Sequence, residues 1–211
     1  MSHDDFAVEP VRGLPERPPE DERILWQGRP AVWALARSSL LLPWVAAYFV
    51  ALALWRFGSI IDIVPLGRAV ALSMPFIVLG AVACALLWLI AFVQARATVY
   101  TLTSKRVAMR VGAALTVTLN LPYTRIDAAD LDLRRDGTGT IALTLQDKVQ
   151  VGYLVLWPHV RPWRAPTRPA LRCIPDAERV ARMLAEAAEA RVSVPQVAPK
   201  PAAPATALAA E

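Results

Sequence analysis

The sequence predicts an α+β protein in two parts: a two-helix transmembrane hairpin, then a small antiparallel β-barrel or sandwich capped by a C-terminal helix. Three observations predict it. Two long runs, Ser38–Trp55 and Ala69–Ala95, contain no charged residue. From Thr98 onward the apolar period shortens to two, with turn signals about every eight to twelve residues, which is how short antiparallel strands read. After Pro175 the period lengthens again to that of an amphipathic helix.

Residues 1–22 are acidic, rich in proline and poor in apolar side chains, so a disordered tail is expected, with no basic-then-apolar pattern of a cleaved signal. The juxtamembrane segment 23–37 follows. In it Ile24, Leu25 and Trp26 form a short apolar patch before Gly28, suited to a strand or an interfacial anchor. The first span, Ser38–Trp55, is 18 residues long, near the lower limit for crossing a bilayer. Pro43 lies in its first turns, where a missing backbone donor does least harm, and Trp44 and Trp55 mark its ends. A turn-rich link with Gly58, Pro65 and Gly67 leads to the 27-residue run Ala69–Ala95, which at about 1.5 Å per residue exceeds the roughly 30 Å hydrocarbon core. The hairpin is therefore assigned to 38–95. Arg23, Arg29 and Arg37 before it and Arg96, Lys105, Arg106 and Arg110 after it outnumber Arg56 and Arg68 in the link. That asymmetry predicts a multi-pass membrane protein with both termini in the cytoplasm and the short link outside.

Residues 96–191 form the expected cytoplasmic domain. Strands are predicted at Thr98–Thr103, Arg106–Val111, Leu115–Pro122, Ile126–Arg135 and Thr140–Gln146, with one or two more from Val149–Trp157 and Leu171–Ile174. Asp136-Gly137 is a strong turn signal. Val180, Met183, Leu184 and Ala187 make the apolar stripe of a helix of about 15 residues, begun by Pro175 and Asp176 and placed to close one end of the barrel. The Pro/Ala-rich stretch 192–211 is expected to be disordered.

Composition narrows the function. The net charge of +5 is uneven: residues 1–37 sum to −2, whereas residues 96–192 carry 15 basic and nine acidic side chains, +6. Excess positive charge beside a membrane span favours an anionic lipid surface over nucleic acid as a partner. Only Cys84 and Cys173 are present, so neither a disulfide framework nor a cysteine-rich metal site is indicated. No carboxylate pair, nucleophile–base pair or phosphate loop occurs at usable spacing, and neither span offers a histidine. The reading is of a non-enzyme with no cofactor and no metal.

Two features could carry partners. Small residues four apart, Ala47 with Ala51 and Gly80 with Cys84, let helix backbones approach closely, either within the hairpin or against a partner's helix or a second copy of this chain. The loop Leu156–Arg172 holds four prolines, Trp157, Trp163, Arg161, Arg164, Arg168 and Arg172. Tryptophan beside arginine suits lipid headgroups or a protein hot spot, and equally a loop folded over its own barrel. His159 stands alone in that loop; its ordinary range is near neutral pH, but a lone loop histidine rarely does more than hydrogen-bond.

Two resemblances rest on these residues. The stretch ERILWQGRP before the hairpin and VYTLTSKRVAMRVG after it resembles bacterial membrane-anchored pleckstrin-homology-like domain proteins. In those, an aromatic-x-Leu/Ile-Thr-x-x-Arg motif follows the spans, matched here by Tyr100, Leu102, Thr103 and Arg106. The LWPH-x-RPWR stretch with IPDAERVA resembles a narrower family, the PuhB-type photosynthetic-complex (reaction-centre) assembly proteins of purple bacteria. Together they cover about Glu20 to Arg191. The resemblance implies a non-enzymatic assembly factor of the photosynthetic, intracytoplasmic membrane, with reaction-centre or light-harvesting subunits as partners and no catalytic residues to carry over. The alternative is a general membrane-anchored scaffold or lipid-surface module that stabilises another complex.

Overall fold

A computed structural model of the protein describes residues 11, 13, 14, 16–112, 116–146, 152–160 and 167–192. In chain order the elements are β1 (Ile24–Gly28), α1 (Val32–Ser38), α2 (Leu42–Ile60), α3 (Leu66–Ala97), β2 (Val99–Thr103), β3 (Arg106–Val111), β4 (Val117–Pro122), a 3₁₀ turn (Tyr123–Arg125), β5 (Ile126–Leu133), β6 (Gly139–Leu145), α4 (Tyr153–Leu156), β7 (Ala170–Ile174) and α5 (Ala177–Val192). The predicted α+β class is the observed one.

Helices α2 and α3 are both long and apolar enough to cross a membrane. They pack antiparallel: Ala69, Ser73 and Gly80 are buried on α3, and Ala53 and Ile60 on α2, while Ala91 and Ala95 near the end of α3 are buried against α1. Small side chains in the α2–α3 seam bring the backbones close. Away from it, large apolar side chains point outward on every side, including Trp44, Tyr48, Leu54, Trp55, Ile77, Leu79, Leu86 and Leu89. A core helix of a water-soluble domain would bury such side chains; here only about a tenth of each apolar window is buried.

Helix limits differ from those expected. The first long helix begins at Leu42, because Leu41 adopts a left-handed conformation (φ 53°) and separates it from α1. It then runs through Arg56 and Gly58 to Ile60, so the link shrinks to Ile61–Pro65. Gly58 and Gly67 are tolerated within helices, and Pro65 caps α3. Helix α1 is amphipathic: Ala34, Leu35 and Ala36 are buried against α3 around Ala91 and Ala95, while Trp33 faces outward.

The strand-rich part forms two antiparallel sheets, β1-β2-β3-β4 and β5-β6-β7. Between them lies one core that includes Tyr100, Leu102, Val107, Met109, Leu121, Ile141, Leu143 and Leu171. Helix α5 closes one end, laying Ala177, Val180, Leu184 and Ala187 on the core beside the 3₁₀ turn, β5 and β6. Asp136-Gly137 turns the β5–β6 hairpin as predicted, with Gly137 at φ +76° and the Asp136 carboxylate accepting from the Thr138 N–H and hydroxyl. Of the two further stretches expected to supply one or two strands, Leu171–Ile174 does so in β7, whereas the described part of Val149–Trp157 holds a single helical turn, Tyr153–Leu156, because an apolar run this short fits either period.

The least local feature is β1. Strand β1 precedes the hairpin, yet pairs antiparallel with β2, which follows it: Gln27 lies opposite Thr101 and Gly28 opposite Tyr100. Glu22, almost fully buried, receives two bonds from Arg106 at 2.8 and 3.2 Å, and Lys105 pairs with Asp21. The two flanks of the apolar hairpin are thus joined as neighbours in one sheet, and both lie on the same side of it.

Candidate functional site

The motif residues build the junction between hairpin and sheets. Thr103 Oγ1 accepts from the backbone N–H groups of Lys105 (3.2 Å) and Arg106 (3.0 Å) and donates to the Arg106 carbonyl, forming the β2–β3 turn. The Tyr123 hydroxyl donates to the Thr103 carbonyl at 2.6 Å. Leu102 enters the core and Arg106 holds Glu22. The threonine and arginine of the motif therefore shape a turn and clamp β1, and the tyrosine reaches deeper.

Tyr100 is fully buried between His159 and β7. Its hydroxyl lies 2.6 Å from His159 Nδ1 and accepts the Arg172 backbone N–H at 3.2 Å; His159 Nε2 lies 2.9 Å from Thr98 Oγ1. With the phenol oxygen already accepting from Arg172, its single proton is satisfied by donating to Nδ1. The histidine is then the neutral Nε2–H tautomer, donating to Thr98. Electrostatics agree: burial first, and the Arg172 charge second, push the His159 pKa down to about 3. Burial also raises the Tyr100 hydroxyl well above the usual tyrosine range. His159 is consequently neutral throughout the physiological range; of the two roles open to a lone loop histidine, titration near neutrality or plain hydrogen bonding, it has the second.

Arg172 is also buried, 5% exposed. Its Nη1 donates to the carbonyls of Pro158 (3.2 Å) and Val160 (3.5 Å), and Nη2 to that of Ser38 (3.5 Å). The cause is a bulge in β7: Gly139 pairs with Ile174 but Ile141 with Leu171, and Cys173 takes a left-handed φ of 54°. The same bulge offers the Cys173 carbonyl to the Ala31 N–H at 2.8 Å and its sulfur to Ser38 Oγ at 3.1 Å. Residues from α1, the end of α3, β2, β7 and the His159 turn thus meet in one buried polar knot that ties the apolar hairpin to the sheets.

Of the residues expected to dock lipid or protein, Arg172 is withdrawn inward for this reason. Trp157 is partly exposed (38%) just after α4, and Arg168 lies on the surface, 3.1 Å from Asp130. Arg161, Trp163 and Arg164 lie outside the described residues. The helix residues also divide. Gly80 is buried where α2 and α3 touch, and a Cβ there would lie 2.6 Å from Phe49 Cβ; Cys84 is half-buried nearby. Ala47 and Ala51 are exposed, on the outer surface of α2. Among the described residues no group of three or more metal-capable side chains occurs.

The sequence missed a second feature: an open cleft of about 460 Å³ between α1 with the start of α2 on one wall and the β5–β6 turn on the other. Arg37, Arg134 and Arg135 line it with Asp136, Leu133 and Pro43. The Arg-Arg-Asp-Gly run signals only a turn when read alone; its facing Arg37 is a tertiary fact.

An apolar hairpin bonded to a two-sheet domain closed by a C-terminal helix defines the class. The family model described as "Bacterial PH domain" matches residues 38–188, and the chain belongs to that family. A protein of Rhodobacter capsulatus described as "Uncharacterized 23.7 kDa protein in puhA 5'region" is 46% identical over 217 residues, covering all of both chains. The crystal structure of a duf1696-family protein with a pleckstrin-homology domain from Shewanella loihica aligns over 43% of this chain and 71% of its own, at 12% identity and a TM-score of 0.29. A likeness that weak adds nothing to the fold assignment.

Proposed function

We propose that this protein is a non-enzymatic assembly factor of the bacterial inner, intracytoplasmic membrane that supports formation or accumulation of the photosynthetic reaction centre and its light-harvesting complex. The observation that carries this reading is the full-length relative at 46% identity from the puhA 5′ region, a photosynthesis-gene setting, which agrees with the resemblance of LWPH-x-RPWR and IPDAERVA to PuhB-type proteins. The outward-facing apolar surface of α2 and α3 supports a membrane-spanning hairpin. Pairing of β1 with β2 supports both flanks on one face of the bilayer, and the arginine count favours the cytoplasmic face.

Mechanistically, the protein docks and does not transform. The hairpin presents Ala47 and Ala51 outward to a neighbouring helix, while the loop around Trp157, Arg161, Trp163, Arg164 and Arg168 meets an immature subunit at the membrane surface. The buried knot matters because it joins the hairpin to the sheet domain that carries the loop. The test is the double substitution Trp163→Ala with Arg164→Ala. Reaction-centre yield falls while the protein itself accumulates normally; unchanged yield removes the loop from the mechanism.

A further inference from the structure

We infer that a smaller cleft, on the face of the β5-β6-β7 sheet turned away from the core, binds a carboxylate side chain of an extended polypeptide partner through Arg134 and Arg172. Its volume is about 350 Å³, and its polar lining comes from Asp130, Asp132, Arg134, Thr140 and Arg172. Strand register explains that lining. Asp130 stands opposite Ala142 and Asp132 opposite Thr140, whereas Leu131 between them stands opposite Ile141, a core residue. Residues two apart on a strand share a face, so the aspartates look away from the core. Arg134 follows them in the same alternation. Its Nη2 donates to the Thr140 hydroxyl at 3.1 Å, and its buried Nη1 has no hydrogen-bond partner in the protein. Arg172, 5% exposed, spends Nη1 and Nη2 on backbone carbonyls, and its buried Nε has no partner either. The two cations also oppose each other: burial first, and the Arg134 charge as well, disfavour the charged form of Arg172. Buried donors left unpaired are costly, and one anionic oxygen acid accepting from both removes that cost and the repulsion together.

The charge of the lining selects a carboxylate over a phosphate. Two arginines are balanced by two aspartates, and Asp130 is engaged by Arg168 at 3.1 Å. A phosphate would bring more charge and more oxygens than two free N–H groups can answer, beside the remaining carboxylate of Asp132. A carboxylate brings one charge and two oxygens. The open edge selects a polypeptide over a free acid. Strand β5 is the edge of its sheet, paired only with β6 among the described residues, and every residue from Asp127 to Leu133 is exposed. An extended segment laid along that edge adds a strand through main-chain bonds and turns alternate side chains over the cleft, where one acidic side chain meets the two arginines. A second copy of this chain is not the occupant, because Asp127, Asp130 and Asp132 would face the same charges on its β5. The site is an interaction surface beyond the hairpin and the Trp/Arg loop, and it does not depend on a role in assembly.

Two fluorescent, capped seven-residue peptides of alternating threonine and valine, one with a central glutamate and one with a central glutamine, test it by titration against the full chain in detergent. The glutamate peptide binds about tenfold more tightly, the scale of one charge-assisted pair, and its binding slows hydrogen exchange at the β5 amides. Arg134→Gln brings the two peptides within about threefold of each other and leaves the affinity for the glutamine peptide as in wild type. Arg179→Gln, at an exposed position of α5, leaves the preference for glutamate unchanged. The wild-type preference needs no substitution, so it decides the matter even if Arg134→Gln folds poorly. Equal affinity of the wild type for the two peptides, a preference that survives Arg134→Gln, or β5 amides that exchange at the same rate overturns the site. So does displacement of the glutamate peptide by an equal concentration of acetate, inorganic phosphate or phosphatidylglycerol. Any of these results leaves the assembly reading standing, since that reading falls on reaction-centre yield and on what is isolated with the chain.

Discussion

Tyr100→Phe deletes one oxygen from the knot between hairpin and sheets and leaves the ring in place, so its effect follows from hydrogen bonds alone. The lost hydroxyl is the acceptor for the Arg172 N–H at 3.2 Å and the partner of His159 Nδ1 at 2.6 Å, both fully enclosed. Each buried group left without a partner costs roughly 1–3 kcal/mol, so the substitution destabilises the protein by about 2–6 kcal/mol. For a chain of this size each kcal/mol lowers the melting temperature by about 2–4 °C, giving a fall of at least about 4 °C by circular dichroism in detergent. The histidine adds a pH signature. Its folded pKa is depressed from 6.5 to about 3, so below pH 6.5 the unfolded chain takes up a proton that the folded one refuses. Stability is then lost as pH falls, by about 2 kcal/mol between pH 6.5 and 5, and the loss ends near pH 3. His159→Asn, which cannot titrate, removes that part of the slope. A melting temperature within about 1 °C of wild type for Tyr100→Phe, or an unchanged pH slope for His159→Asn, refutes the knot as a structural joint.

Two further substitutions probe the hairpin and the clamp on β1. Gly80→Leu forces side-chain atoms into Phe49, which already lies 2.6 Å from where a Cβ would stand, and costs about 1–3 kcal/mol of thermal stability. Phe49→Ala in the same chain recovers part of that loss, whereas simple additivity of the two changes would show that the helices do not meet there. Arg106→Gln strands the Glu22 carboxylate, whose side chain is 4% exposed. Because the arginine side is 29% exposed, the cost is held to about 2 kcal/mol, below that of a fully enclosed pair. It also raises protease cleavage ahead of Ile24; unaltered proteolysis would show that β1 does not depend on this pair.

What the sequence reveals depends on how local each feature is. Ala69–Ala95 is legible because twenty-seven residues without a charge have few other fates. Thr98–Thr103 and Thr140–Gln146 are legible because β-branched alternation and flanking turns point the same way. The stripe of α5 is legible because its period matches its burial. The start of the first long helix at Leu42 is not legible, because nothing in Ser38–Leu42 announces a left-handed Leu41. Nor does Ile24–Gly28 reveal its partner, since the pairing spans the whole hairpin. The loop misled for a different reason. Arg172 and Arg168 look alike in a proline-rich stretch, and only the bulge at Cys173 sends one inward and leaves the other at the surface. A lone histidine likewise carries no sign of burial until Tyr100 and Thr98 are brought to its two nitrogens. The cleft between α1 and the β5–β6 turn is assembled from residues about a hundred positions apart, beyond the reach of any local pattern.

The assembly role is tested most directly by isolating the tagged full chain from photosynthetic membranes and identifying what comes with it. The account predicts reaction-centre or light-harvesting subunits in the isolate, at levels well above those in membranes carrying an unrelated tagged hairpin protein. Recovery of the chain alone, or with the same background as that control, contradicts it.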